Sequence, residues 1–113
     1  MALNEKLTDR VREKLARVDK VEEKKMFRGI TFMVDGKMCV SVGDDRLMCR
    51  IDPAIYDEVL DREGCQPVKM KGKEYKGYVY VNEAYLNGDS EFDYWIQLAL
   101  EFNKKAKASP KRN

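Results

Sequence analysis

Histidine is absent from all 113 residues. Without imidazole there is no histidine general base, no Ser-His or Cys-His pair, and no histidine ligand for a metal. Cysteine is scarce and poorly placed for chemistry. Cys39, Cys49 and Cys65 are never closer than ten residues apart, so no C-x-x-C exists for a zinc ribbon or a redox dithiol. Three such cysteines read as free, mostly buried thiols in a reducing compartment. Long apolar runs are missing too. Glu5, Asp9 and Glu13 interrupt the N-terminus, which does not read as a signal peptide, and no stretch approaches the length needed to cross a bilayer. A soluble, cytoplasmic protein with no membrane contact is expected. Neither G-x-x-x-x-G-K-[ST] nor G-x-G-x-x-G occurs, and no nucleophile has a sequence-evident base. The expectation is a non-enzymatic protein with no cofactor and no metal. A Cys–Lys or Tyr–Asp pair formed only in three dimensions stays open.

What is present suits one domain. Hydrophobic residues make up 43% and charged residues 37%, enough for a buried core beneath a heavily charged surface. Lys and Arg number 22 against 20 Asp and Glu, a formal net charge of +2. That near-balance hides an asymmetry. Lys104, Lys105, Lys107, Lys111 and Arg112 fall in the last ten residues with no acid beside them, which leaves 17 basic and 20 acidic residues before position 104. A slightly acidic body, residues 1–106, is expected to be followed by a basic, disordered tail over 107–113.

The hydrophobic period gives the element order. Leu3, Leu7, Val11, Leu15 and Val18 recur every three or four residues and predict a helix capped by Asn4 and ending near Asp19. From Glu22 the period becomes two. Ile30, Phe32 and Val34, then Met38, Val40 and Val42, flank Asp35-Gly36, the strongest local signal for a tight hairpin. Gly43-Asp44-Asp45 makes the next turn, and Leu47, Cys49 and Ile51 alternate through another strand. Asp52-Pro53 opens a second helix whose buried face is read as Ile55, Val59 and Leu60, stopped by Gly64. Strands at Val68–Met70 and Tyr78–Val81 surround a turn at Gly72. A last helix is expected from Ser90, with Asp93 completing a capping box and Phe92, Trp95, Ile96, Ala99 and Phe102 on one face. Helix, three or four strands, helix, two strands, helix predicts an α+β two-layer sandwich, an antiparallel sheet with its helices on one face.

In this order the segments resemble the N-terminal domain of the TfoX family, also called Sxy. The likeness is carried by Lys25-Met26-Phe27-Arg28-Gly29, Ile30-Thr31-Phe32-Met33, Gly36-Lys37-Met38-Cys39-Val40, the stretch from Asp44 to Arg50, Lys76-Gly77-Tyr78-Val79-Tyr80-Val81, and the helix around Trp95. It spans roughly positions 5 to 103 and rests on the ordered set, since no single piece is chemically specific. The resemblance implies an interaction or regulatory module, linked to competence and transcription, rather than an enzyme. Many bacterial genomes carry stand-alone copies. Two departures stand out. The family usually reads Met-Phe-Gly-Gly where this chain has Met26-Phe27-Arg28-Gly29. The full-length regulators also carry a C-terminal helical domain, which 113 residues do not accommodate.

Two candidate surfaces follow. Phe27, Arg28 and Gly29 form a turn that can present an arginine and an aromatic ring to a protein partner, the alternative being a core Phe beside a solvated Arg. Lys69, Lys71, Lys73, Tyr75 and Lys76 interleave basic and aromatic residues, a pattern able to hold single-stranded nucleic acid weakly; lysines on an edge hairpin equally serve to block aggregation. Tyr78 and Tyr80 share a face, which is open to packing by a helix. Asp44 and Asp45 read as a turn rather than a carboxylate pair, and Cys39 and Cys49 as neighbouring buried thiols rather than a disulfide. A protein partner is the leading expectation; weak nucleic-acid binding through this Lys/Tyr-rich hairpin and the basic tail is the alternative. Lysines gathered on one face would favour nucleic acid, and an exposed apolar patch a protein. Nothing in the sequence indicates the oligomeric state.

Overall fold

Asn4 opens α1 (Glu5–Lys14). Its side chain accepts the Leu7 amide at 2.9 Å and its carbonyl accepts the Thr8 hydroxyl at 2.8 Å, so first-turn groups find partners. The helix stops short of the expected Asp19. Beyond Lys14 the amides of Ala16 and Val18 bond three residues back rather than four, and Lys20 reverses the chain at φ 59°. Leu15 is still buried and Val18 half-buried, because the tightened turn keeps the apolar period.

The computed structural model describes residues 4–26 and 29–106. Among them are six strands: β1 (Val21–Met26), β2 (Gly29–Val34), β3 (Lys37–Val42), β4 (Arg46–Arg50), β5 (Cys65–Met70) and β6 (Lys73–Asn82). They form one antiparallel sheet in the order β1-β2-β3-β4-β6-β5. Asp35 and Gly36 take φ of 55° and 76°, the mirror-image turn whose twist matches the strands it joins, and Lys71-Gly72 repeats it at 52° and 79°. Gly29 is required for a different reason. A Cβ there would overlap the Val42 carbonyl, so the start of β2 lies against the end of β3 without a side chain between them.

Both sheet edges are protected. β1 carries Glu22, Glu23, Lys24 and Lys25 in succession, and β5 contains Pro67, which has no amide to offer another strand. Within β3, the register passes from Val40 opposite Phe32 to Met38 opposite Met33, leaving Cys39 as the extra residue of a bulge.

The helices cover one face of the sheet. Asp52 accepts the Ala54 amide at 2.9 Å, and Pro53 starts a 3-10 turn that leads into α2 (Tyr56–Leu60). Tyr56 and Val59 are the buried residues here, whereas Ile55 and Leu60 are only half-buried, because the 3-10 turn shifts the face by one position. α3 (Asp89–Asn103) begins one residue earlier than expected, with Gly88 at its cap and no side-chain cap bond. The Ser90–Asp93 capping box does not form. Ser90 already lies inside the helix, and Asp93 and Asp89 instead face Lys14 of α1 at 3.4 and 3.3 Å. Phe92, Trp95, Ile96 and Ala99 enter the core with Leu7 and Val11 of α1, against Phe32, Val40, Leu47, Cys49, Val79 and Val81 of the sheet. Phe102 is half-buried. The last core-facing place goes to Asn103, whose amide donates to the Val34 carbonyl at 3.2 Å while its own carbonyl accepts Lys37 at 2.8 Å. These bonds fasten the end of α3 to the β2–β3 hairpin.

Candidate interaction surface

Of the first candidate turn, Phe27 and Arg28 lie outside the described residues. Gly29 is described, and the close approach to Val42 accounts for it.

The second candidate lies on the β5–β6 hairpin, whose tip is exposed although Val68, Val79 and Val81 are buried. Lys69, Lys71, Lys73, Tyr75 and Lys76 all reach solvent, with Tyr75 at 41%. They are not gathered on one face. The register sets Lys69 against Glu74 and Met70 against Lys73. Alternation along β6 then places Lys73 and Tyr75 on the side opposite Glu74 and Lys76. Glu74 also accepts the Tyr56 hydroxyl at 2.8 Å, which ties the hairpin to α2 and sets a carboxylate among the lysines. Past Tyr75 the ladder is irregular, and Gly77 at φ 96° restores the pairing that places Val79 and Val81 in the core.

Because Val79 and Val81 face the helices, alternation turns Tyr78 and Tyr80 to the other side of the sheet, the side opposite the core packing of the described helices. The register extends this helix-free face across the whole sheet. One row runs Lys24, Thr31, Ser41, Met48, Tyr80 and Gln66, one residue from each strand. Its centre is closed. Thr31 is 0% exposed, Ser41 4% and Met48 2%, and the Thr31 and Ser41 hydroxyls bond each other at 2.9 Å. Met48 nevertheless lies outside the main core cluster.

Two arginines flank that floor. The Arg46 guanidinium carbon sits 3.6 Å over the Tyr80 ring, and that of Arg50 lies 5.7 Å from the Tyr78 ring and 5.7 Å from that of Phe102. Arg46 is exposed, and no acceptor among the described residues engages its N–H groups. Arg10, Arg12 and Arg62, by contrast, are committed. Arg12 makes two 2.8 Å bonds to Glu23, Arg10 donates to the Leu86 carbonyl, and Arg62 pairs with Glu91 at 3.1 Å. Sequence reasoning passed over Arg46 and Arg50, although they alternate with Leu47 and Cys49 and so had to lie on the face opposite the core.

The remaining candidates have structural explanations. Asp44 and Asp45 are turn residues whose carbonyls accept the Asn4 side chain at 3.0 Å and the Glu83 amide at 2.8 Å. All three thiols are free. Burial pushes the Cys39 thiol up to about 12, with Arg50 opposing, and the Cys65 thiol up to about 11, with Arg62 opposing. Burial raises Cys49 well above the usual thiol value. A nucleophilic cysteine needs the reverse shift. A cleft of about 440 Å³ lies between Arg62, Glu63, Tyr85 and Glu91. Two of its charges are already partnered, since Glu91 takes both Arg62 and the Trp95 indole N–H at 3.1 Å, while Arg62 stacks 4.0 Å over Tyr94.

A family model described as the TfoX N-terminal domain matches residues 13–103. No curated protein and no solved structure matches the chain.

Proposed function

Since this chain belongs to the TfoX N-terminal domain family, we propose that it is a non-enzymatic regulatory module, of the kind linked to competence and transcription, that holds a protein partner on the helix-free face of its sheet. The observation that carries this reading is Arg46, fixed over Tyr80 with its donors unengaged among the described residues. Arginine, tyrosine and methionine are the residue types enriched at protein interfaces. Here Arg46 and Tyr80 sit side by side on β4 and β6 of a hydrogen-bonded sheet, and Met33 pairs with Met38 farther along the same face. The thiols support a non-catalytic role because burial moves all three further from the reactive thiolate. Free thiols also suit a reducing compartment such as the cytoplasm. Among the described residues no helix is long and apolar enough to cross a membrane.

A second reading, weak nucleic-acid binding, rests on the exposure of Lys69, Lys71, Lys73, Tyr75 and Lys76, its other element, the basic tail over 107–113, lying outside the described residues. The carboxylate of Glu74 in their midst and their division between two faces weigh against it. Affinity capture from the native cytoplasm, with and without nuclease, separates the two. A partner that survives nuclease treatment and is lost with Arg46→Ala is the expected result. Loss of every co-purifying protein after nuclease would sink the protein-partner reading.

A further inference from the structure

Resting on that reading of the helix-free face, we infer that the partner docks through an acidic segment, one carboxylate of which is gripped by Arg46. The charges on the face point there. Among β1 to β4, the register sets Lys24, Arg46 and the half-buried Arg50 against Glu22. This positive balance, spread over β1 to β4, runs against the trend of the chain, in which residues before position 104 carry 17 bases and 20 acids. Opposite charge on the partner gives electrostatic complementarity, which speeds encounter and suppresses wrong partners.

Arg46 has the geometry of an anchor. Stacking on Tyr80 at 3.6 Å fixes the plane of the guanidinium before any ligand arrives, so less side-chain freedom is lost on binding. A carboxylate matches the guanidinium fork with two parallel hydrogen bonds. Met48, opposite Tyr80 and 2% exposed, makes the floor beside the pair apolar, which strengthens a charge-assisted bond formed over it. The same stacking argues against single-stranded nucleic acid. A base needs an open aromatic face, and the face of Tyr80 turned to Arg46 is taken.

The test is an NMR titration of the full chain that follows the Arg46 side-chain N–H and the Tyr80 ring. The probes are a synthetic Glu/Leu peptide, its Lys/Leu counterpart and a fifteen-nucleotide oligothymidylate, chosen as peptides and strand of about fifteen units to span the sheet. The Glu/Leu peptide is expected to shift both signals, and Arg46→Ala and Arg46→Lys each to weaken it by about tenfold. Lys76→Ala, on the distant hairpin, is expected to leave binding unchanged. Unaltered melting temperatures keep the variants interpretable. Equal affinity of the Arg46→Ala protein for the acidic peptide would overturn the inference, and so would oligothymidylate binding with the same Arg46 dependence. If capture of the native partner needs Arg46 but the acidic peptide does not bind, the acidic inference fails while the binding face stands. If capture is also independent of Arg46, the face itself is wrong.

Discussion

Single side chains set how this protein responds to its surroundings. Cys39 and Cys49 are buried, and burial raises both thiols, Cys39 to about 12. The unfolded chain ionises its thiols near the ordinary value of 9.0, while the folded chain holds its protons to higher pH. The stabilising contribution is therefore complete below about pH 9 and is lost progressively as the pH climbs toward 12. Tyr56, raised to about 12 by burial and by its bond to Glu74, acts in the same direction from its ordinary value of 10.0 upward. The melting temperature should be level through neutral pH and fall steadily above pH 9, as followed by circular dichroism; a flat profile to pH 11 would contradict this account. Native-state alkylation at pH 8 should modify half-buried Cys65 slowly, and Cys39 and Cys49 only in denaturant, with mass spectrometry reading the sites. Gly29 answers to sterics alone. Gly29→Ala pushes a methyl group into the Val42 carbonyl and should cost about 1–3 kcal/mol by denaturant titration.

At the scale of elements, local chemistry wrote most of the fold in plain view. Asn4, Asp35-Gly36 and Asp52-Pro53 each form the cap or turn that their residue types favour. Replacing Asn4 by alanine removes the Leu7 bond and should cost about 1 kcal/mol, measurable in the same titration. The misreadings arose where long-range contacts override local preference. Ser90 and Asp93 have capping-box spacing, yet Lys14 from another helix draws Asp89 and Asp93 toward α1. Tyr56 was overlooked as a core residue because a 3-10 turn moved the buried face of α2. The candidate surface was half legible. Alternation alone puts Tyr78 and Tyr80 together, as it does Arg46 and Arg50. Which face the helices would choose depends on packing between segments far apart in sequence, so the pairing of Arg46 with Tyr80 had no local signal.

For the molecule as a whole, the matched family segment and the folding unit differ. The family model begins at residue 13, inside α1. Leu7 and Val11 precede it and are almost completely buried, and Arg12 holds Glu23 of β1. Burial of those two apolar side chains is worth about 3–6 kcal/mol. A domain of this kind has a total stability of only about 5–15 kcal/mol. A chain trimmed to residues 13–103 should therefore melt far lower or not fold cooperatively, whereas removing the β5–β6 lysine charges should leave stability nearly unchanged. Thermal denaturation monitored by tryptophan fluorescence distinguishes these, since Trp95 is fully buried. The strand order carries one more consequence, for the chain as it leaves the ribosome. β1 to β4 pair with their neighbours in order of synthesis, but the free side of β4 waits for β6, and β5 emerges first. A nascent sheet that accepted β5 there would be mis-threaded. Pro67 opposes that error, because a strand lacking an amide sits poorly between two others and well at a border. One residue thus helps the growing chain hold the place open for the strand that belongs in it.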